Sequence, residues 1–565
     1  LYIVNYFLYK AEVKGVMAKK TKITVHPAFP IGEISPRLYG AFLEPIGTLV
    51  NGMMYSPKHP TADEKGFRGD IIEALRKTDL PCIRLPGGNF VSGWDWRDSI
   101  GPKEQRRVHL DLAWHQYITN DIGHDEYLQW TERIGAEPMY TLNLGTAGIN
   151  EAIYAVEYTN HKGGTYWSDL RIKNGRKEPY GVETWYLGNE PDGPWQIGSW
   201  ERDPTGFGIL TNEVSKAIKW VDGNIETVAA VSCSPNMKHF PDWDLKVLQE
   251  CYNTVDYISL HHYHSVKVGD FATFMGASRY FEDYINTEIA LCDFVQAKMR
   301  SPRKLMISFD EYAIMMRQPS ENLHYGRAPY ENYRAHYRFS PYRDFVLHDP
   351  DNMWRPREGG GAPRRRPYGD MLGALGNASV LLAFIRHADR VKIGCMTGGL
   401  GVLATANRDQ IWRTASYYPY TQLMRYGRGI SMRCSVEGDT YDIPSYIVDD
   451  INEYYEQEGV DYIDAAAAFD DNAGELNVFL INRDWESDRT IELDATGFKG
   501  YKFCEHIQLY SDDLSVVSTP ENPDAIVPTI NNSTKEDEDG IIKADLKKLS
   551  WNILRFVKVN ESDKA

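Results

Sequence analysis

Cysteine is scarce and carries no pairing pattern: the 565-residue chain has seven, at positions 82, 233, 251, 292, 395, 434 and 504, and no C-x-x-C spacing. That suggests neither a disulfide framework nor a thiolate zinc site, and points to a reducing compartment. Long apolar runs are also missing, so no segment spans a bilayer. The first nine residues, LYIVNYFLY, are apolar, yet they lack a preceding basic region and a clean cleavage site and do not read as a signal peptide. Positive charge is in deficit, with 62 Lys and Arg against 79 Asp and Glu and a formal charge of −17. A surface of that sign repels phosphate backbones and anionic lipid, which argues against nucleic-acid and membrane partners. Pro86-Gly87-Gly88-Asn89 lacks the Lys-Ser/Thr of a phosphate loop and reads as a tight backbone turn.

What is present is ordinary globular material, 42% apolar and 25% charged, which excludes global disorder and coiled coil. The length favours two domains, one of them large. From 35 to 431 the sequence repeats one theme, a short apolar run ending in Gly, Asn, Glu or His and then an amphipathic helical stretch. Eight such runs occur: LYGAFLE (38–44), CIRLPGG (82–88), MYTLNLG (139–145), TWYLGNE (184–190), VAAVSCS (228–234), YISLHHY (257–263), LMISFDE (305–311) and RVKIGCM (390–396). Eight strand–helix units predict an α/β fold, a closed (β/α)₈ TIM barrel. Residues 432–565 change to alternating strands with turn signals, among them ELNVFLINRD and SWNILRFVKV, and predict a C-terminal antiparallel β-sandwich. Residues 22–34 form a lone strand expected to join that sandwich. Residues 1–21 read as an N-terminal extension, disordered or a packing segment, with Met17 as the natural start and a cytoplasmic location. The segment 317–368, with Gly359-Gly360-Gly361 and Arg364-Arg365-Arg366, exceeds a usual barrel connection and is expected to cover the active-site face or to form a subunit contact.

In a barrel, side chains at the C-terminal strand ends share one mouth. Two acids stand there, Glu190 ending the fourth run and Glu311 ending the seventh. Cleaving a glycosidic bond needs one carboxylic acid to protonate the leaving oxygen and one carboxylate to attack the anomeric carbon, so a pair on facing strands points to glycoside hydrolysis. His261, His262 and His264 look like a metal cluster, but strand alternation sends 261 to one face and 262 and 264 to the other. No metal and no cofactor is therefore expected.

The blocks YGAFLEPIG, RLPGGNFVSGWDWRDSIGP, LDLAW, NLGTAGI, YLGNEPDGPWQIG, SLHHYH and SFDEY, in this order, resemble the signature blocks of family 51 glycoside hydrolases, the retaining α-L-arabinofuranosidases. The similarity extends over nearly all of residues 20 to 560. The resemblance implies that Glu190 is the general acid/base and Glu311 the nucleophile, that Glu44, Asn89, Asn189 and Tyr263 contact substrate, that Trp114 lies near the leaving-group side, and that Arg84 supports the pocket. It also implies arabinose-containing oligosaccharide or polysaccharide as substrate and a homo-oligomer, a hexamer. Four places depart from the family pattern. Pro45 stands for His, Ala147 for Arg, Tyr312-Ala313-Ile314-Met315-Met316 for Trp-Asn-Val-Trp-Tyr, and Gly398 for a substrate-binding Gln. The expectation is release of terminal α-L-arabinofuranosyl units. The alternatives are a β-1,4-xylosidic or β-1,4-glucosidic specificity, or a non-catalytic carbohydrate-binding barrel.

Overall fold

The structure, a computed structural model, describes residues 20–317, 345–351, 369–407 and 409–559. Eight parallel strands close into a barrel, in chain order Gly40–Phe42, Cys82–Leu85, Glu137–Leu142, Thr184–Leu187, Glu226–Ala230, Tyr257–Lys267, Met306–Arg317 and Val391–Thr397. Each falls within or over one of the eight apolar runs. Their side chains alternate between two apolar environments, which is why the runs carry so little polar alternation. Phe42, Cys82, Met139, Tyr186, Val228, Ile393 and Cys395 fill the barrel interior. Ile83, Tyr140, Trp185, Leu187 and Ile258 point outward to the helices. Among those helices, Pro204–Val221 starts where the Asp203 carboxylate accepts from Gly206 N at 2.9 Å with Pro at the first position, a standard N-terminal arrangement. Met371–Arg386 is buried at every residue but Arg386 because it is wedged between the barrel and the second domain.

That second domain is built on a ten-stranded sheet, antiparallel at every pairing except one. Strand Lys20–Glu33 runs antiparallel to Ile430–Glu437 and parallel to Arg489–Asp494. The two layers of the sandwich are halves of this one hydrogen-bonded sheet, which curls round a core shared by Val25, Val478, Leu480, Leu493, Ala544 and Leu554. The alternate residues Phe479, Ile481, Trp551 and Ile553 belong to the barrel's own outer core. One period-two strand thus serves two cores. Ile463–Asp470, sequence IDAAAAFD, is a strand despite four alanines, because its neighbours Ile430–Glu437 and Glu475–Asn482 hold it on both edges.

Between Ile430–Glu437 and Ile463–Asp470 the chain leaves the sheet. Four short strands, Thr440–Ile443, Tyr446–Ile447, Glu453–Tyr454 and Gln457–Asp461, form an insert with its own small core of Ile443, Tyr446, Val448, Tyr454 and Val460 against Tyr280. The insert docks on the barrel through Tyr446 Oη to His264 Nε2 at 2.7 Å, Ser265 N donating to Tyr454 Oη at 2.9 Å, and a Lys238–Glu453 ion pair at 2.7 Å. Of the segments singled out in the sequence, the extension as far as residue 19, and 317–368 apart from Arg317 and residues 345–351, lie outside the described residues; Arg364 to Arg366 are among those outside. No helix among the described residues is long and apolar enough to cross a membrane.

Candidate active site

Glu190 follows the fourth strand at φ +43°, a left-handed backbone that non-glycine residues adopt at a cost of about 1–3 kcal/mol. Its side chain is held from two sides. Trp195 Nε1 donates to Oε2 at 2.9 Å and His261 Nδ1 meets Oε1 at 3.0 Å. Burial pushes the Glu190 carboxyl above the usual carboxylate range, against the pull of the His261 hydrogen bond.

Glu311 owes its position to a bulge. In the pairing of the sixth and seventh strands Phe309 faces Leu260 and Glu311 faces His261, so Asp310 is the extra residue, and Asp310 and Glu311 both make contacts inside the barrel. Arg84 Nη1 donates to Glu311 Oε1 at 2.7 Å and Tyr263 Oη donates to Oε2 at 2.6 Å. Thr397, at the end of the eighth strand, meets Tyr263 Oη at 3.0 Å.

Behind the pair lies a buried charge lattice. Asp310 Oδ2 faces Arg84 Nε at 2.9 Å and His261 Nε2 at 3.1 Å. Arg84 Nη2 donates to Asn189 Oδ1 at 2.7 Å, and the guanidinium stacks between the rings of Phe42 and Tyr186. Burial alone would lower the pKa of His261, but Glu311 and Asp310 outweigh it and push the imidazole up to about 10. It is therefore a cation at neutral pH. Asp310 is held below the usual carboxylate range: burial opposes this, and Arg84 and His261 overcome it.

The other carboxylate of the pocket, Glu44, accepts from Trp114 Nε1 at 2.7 Å and from Phe90 N at 3.2 Å. Burial, and then repulsion from Glu311, raises it well above its ordinary value. The turn beside it requires glycine: Gly88 has φ +73°, and a Cβ there would fall 2.0 Å from Glu44 Cδ. Asn89 Oδ1 accepts from Gln196 Nε2 and faces Asn189 Nδ2 at 3.4 Å. Glu44, Asn89, Trp114, Glu190, Tyr263 and Glu311 all line one open cavity of about 850 Å³ at the barrel mouth, and Asn189 and Arg84 lie directly behind it. The structure thus brings together all eight residues singled out in the sequence.

Sequence reasoning passed over His261 except as a metal ligand, and did not find Asp310, Trp195, Gln196 or Thr397. Asp310 precedes Glu311 and becomes interior only through the bulge, which no periodicity announces. Glu190, His261 and Glu311 place one ligand atom each within 4.8 Å of one another, the one such group among the described residues. Both ring nitrogens of His261 are engaged by carboxylates there, Nδ1 by Glu190 Oε1 at 3.0 Å and Nε2 by Asp310 Oδ2 at 3.1 Å. His262 and His264 lie on the opposite face, 3.1 Å apart and packed among Tyr280, Phe281 and Tyr454.

Two departures from the family pattern change meaning. Ala147 lines a separate cavity of about 110 Å³ with Trp94, Arg97 and Glu151. Gly398 has φ +71° at the start of the short helix Gly399–Leu403, and the polar group that the eighth strand sends to Tyr263 is Thr397. Met315 does line the catalytic cavity. Pro45 is buried, and its carbonyl accepts from Gln116 Nε2 at 2.6 Å.

Residues 74–286 match the α-L-arabinofuranosidase 1 domain and residues 310–550 the α-L-arabinofuranosidase C-terminal domain. An intracellular exo-α-(1→5)-L-arabinofuranosidase of Bacillus subtilis is 36% identical over 96% of this chain and 99% of its own. Two solved structures share the architecture at 27% identity. A family 51 α-L-arabinofuranosidase from Bifidobacterium longum has TM-score 0.79 and covers 95% of this chain and 99% of its own. The arabinose complex of the Thermotoga maritima α-L-arabinofuranosidase has TM-score 0.78, with 95% and 100% covered. With a barrel that gathers two carboxylates at its mouth, and with relatives matching over 95–96% of its length, the chain belongs to the family 51 α-L-arabinofuranosidases and is a glycoside hydrolase.

Proposed function

We propose that this chain is a retaining exo-α-L-arabinofuranosidase in which Glu311 is the nucleophile and Glu190 the general acid/base. The observation that carries the reading is the separation: carboxylate oxygens of Glu190 and Glu311 lie within 4.8 Å of each other. A retaining pair stands about 5 Å apart, and an inverting pair leaves room for a water. In the first step the Glu311 carboxylate attacks the anomeric carbon while Glu190 gives its proton to the leaving oxygen. In the second, Glu190 takes a proton from water, which displaces Glu311. Burial of Glu190 suits the acid role by keeping its proton on at higher pH. Arg84 and Tyr263 fix both oxygens of Glu311 in line for attack. Glu44, Asn89 and Asn189 supply a carboxyl and two amides for the furanose hydroxyls, and the half-exposed Trp114 offers an apolar ring on the leaving-group side.

The substrate class is the non-reducing end of arabinan or arabinoxylan oligosaccharides; the exo-α-(1→5) activity by which the Bacillus relative is known supports the arabinan part of this reading. The same reading makes the protein a cytoplasmic enzyme for imported oligosaccharides and a homo-oligomer, with a hexamer as the expected form in sedimentation. Proton NMR of the first product tests the mechanism: the released arabinose should keep its α configuration, and initial β-arabinose would reject it. A panel of nitrophenyl glycosides tests the sugar. Met315 in the cavity wall is the observation that favours a second reading, in which a β-xyloside is preferred.

A further inference from the structure

The catalytic cavity is not made by the barrel alone. Its lining includes Ile451 and Asn452, which sit at the tip of the insert that leaves the C-terminal sheet between Ile430–Glu437 and Ile463–Asp470. We infer that this tip is the wall against which the leaving group of the substrate is held, so that the second domain sets the enzyme's preference for what lies beyond the scissile bond. The inference rests on the proposed assignment of Glu190 as the acid.

The side of the cavity is fixed by contacts. Ile451 packs into a cluster with Cys233, Met237 and Trp195, and Trp195 Nε1 is the group that donates to Glu190 Oε2. An acid that protonates the departing oxygen must stand beside it. A wall that continues from Glu190 through Trp195 to Met237 and Ile451 therefore borders the departing sugar rather than the arabinosyl ring, whose hydroxyls would face Glu44, Asn89 and Asn189.

The tip is also preorganised. Asn452 Nδ2 reaches both oxygens of Asp449 at 2.8 Å, and Tyr454 Oη donates to Asn452 Oδ1 at 3.0 Å. Lys238, next to Met237, is paired with Glu453 at 2.7 Å. A rigid apolar side chain with a fixed amide beside it is the usual equipment for one face of a sugar ring and one of its hydroxyls.

The test compares two substrates with the same arabinosyl group, an α-1,5-linked arabinotriose and 4-nitrophenyl α-L-arabinofuranoside. Ile451→Ala should lower the ratio of their kcat/KM values, triose over nitrophenyl, by about five- to tenfold, chiefly through KM for the triose. Lys238→Met, which removes the Lys238–Glu453 ion pair and leaves the two other docking contacts in place without touching the cavity, should lower the same ratio by about two- to threefold. Trp220→Ala, on an exposed helix face, should leave it alone. If Ile451→Ala and Lys238→Met reduce both substrates equally, the tip is a structural buttress and the inference is overturned; an unchanged ratio overturns it as well. Should the wild type prefer a β-xyloside, the substrate reading fails by itself. The same ratio taken with xylotriose and the nitrophenyl xyloside would then still decide the role of the tip.

Discussion

The two faces of the sixth barrel strand, Tyr257–Lys267, carry similar residues to opposite ends. Inward, His261 and Tyr263 meet Glu190, Asp310 and Glu311. Outward, His262 and His264 meet each other and a ring of Tyr280, Phe281, Tyr446 and Tyr454. Among carboxylates the imidazole of His261 is pushed up to about 10, while burial without a counter-charge drives His262 down to about 3. One step along a strand separates a histidine whose pKa is raised from one whose pKa is lowered. The difference teaches that burial does not decide a histidine's charge; what shares its cavity does.

The largest effect that would sharpen this contrast comes from the inward partners. Glu311→Ala should abolish turnover of every substrate, since no glycosyl-enzyme can form. Glu190→Ala should spare the first step for a nitrophenolate leaving group and recover turnover with azide; steady-state kinetics with and without azide separates the two roles. Next in size, His261→Gln should cost on the order of 10²-fold in kcat/KM by releasing Glu190 and Asp310 from their common partner. Asp310→Asn, which frees both Arg84 and His261, should do likewise.

The outward face should answer only in stability. His264→Phe removes the bonds to His262 and Tyr446, and should cost about 1–3 kcal/mol in denaturant unfolding while leaving kcat unchanged. The pH dependence of unfolding should separate the faces. His261, whose folded-state pKa is raised, contributes stability that is complete below about pH 6.5 and is lost as pH rises through about 10. His262, whose pKa is depressed, contributes stability above about pH 6.5 that is lost as pH falls toward about 3. His261→Gln should thus flatten the alkaline limb and His262→Gln the acid limb; the same limb altered in both would break the comparison. The smallest effect is a titration. Trp195→Phe removes a hydrogen bond that lowers the Glu190 pKa, so the basic limb of kcat/KM should move to higher pH.

Much of this was legible beforehand, for reasons that can be named. All eight barrel strands appear in the sequence because a strand buried on both faces must be an uninterrupted apolar run. Glu190 and Glu311 were visible because barrel chemistry sits at strand ends. What stayed hidden depends on geometry outside the local pattern. Asp310 turns inward at a bulge, and Trp195 reaches Glu190 across a loop. Ile451 and Asn452 were beyond reach because nothing local ties a hairpin in the second domain to the mouth of the first.

The strand Lys20–Glu33 has a consequence in time. Its antiparallel partner, Ile430–Glu437, is encoded about 400 residues later, and at a synthesis rate of about 5–20 residues per second that is a wait of roughly 20–80 s. Through that interval the emerging chain carries an unpaired strand whose inward residues Ile23 and Val25 have no core to enter, next to a barrel whose eighth strand has not been made. A strand made early is thus seated late, and the growing protein depends on its exposed edge being shielded until residues 430–437 have been made.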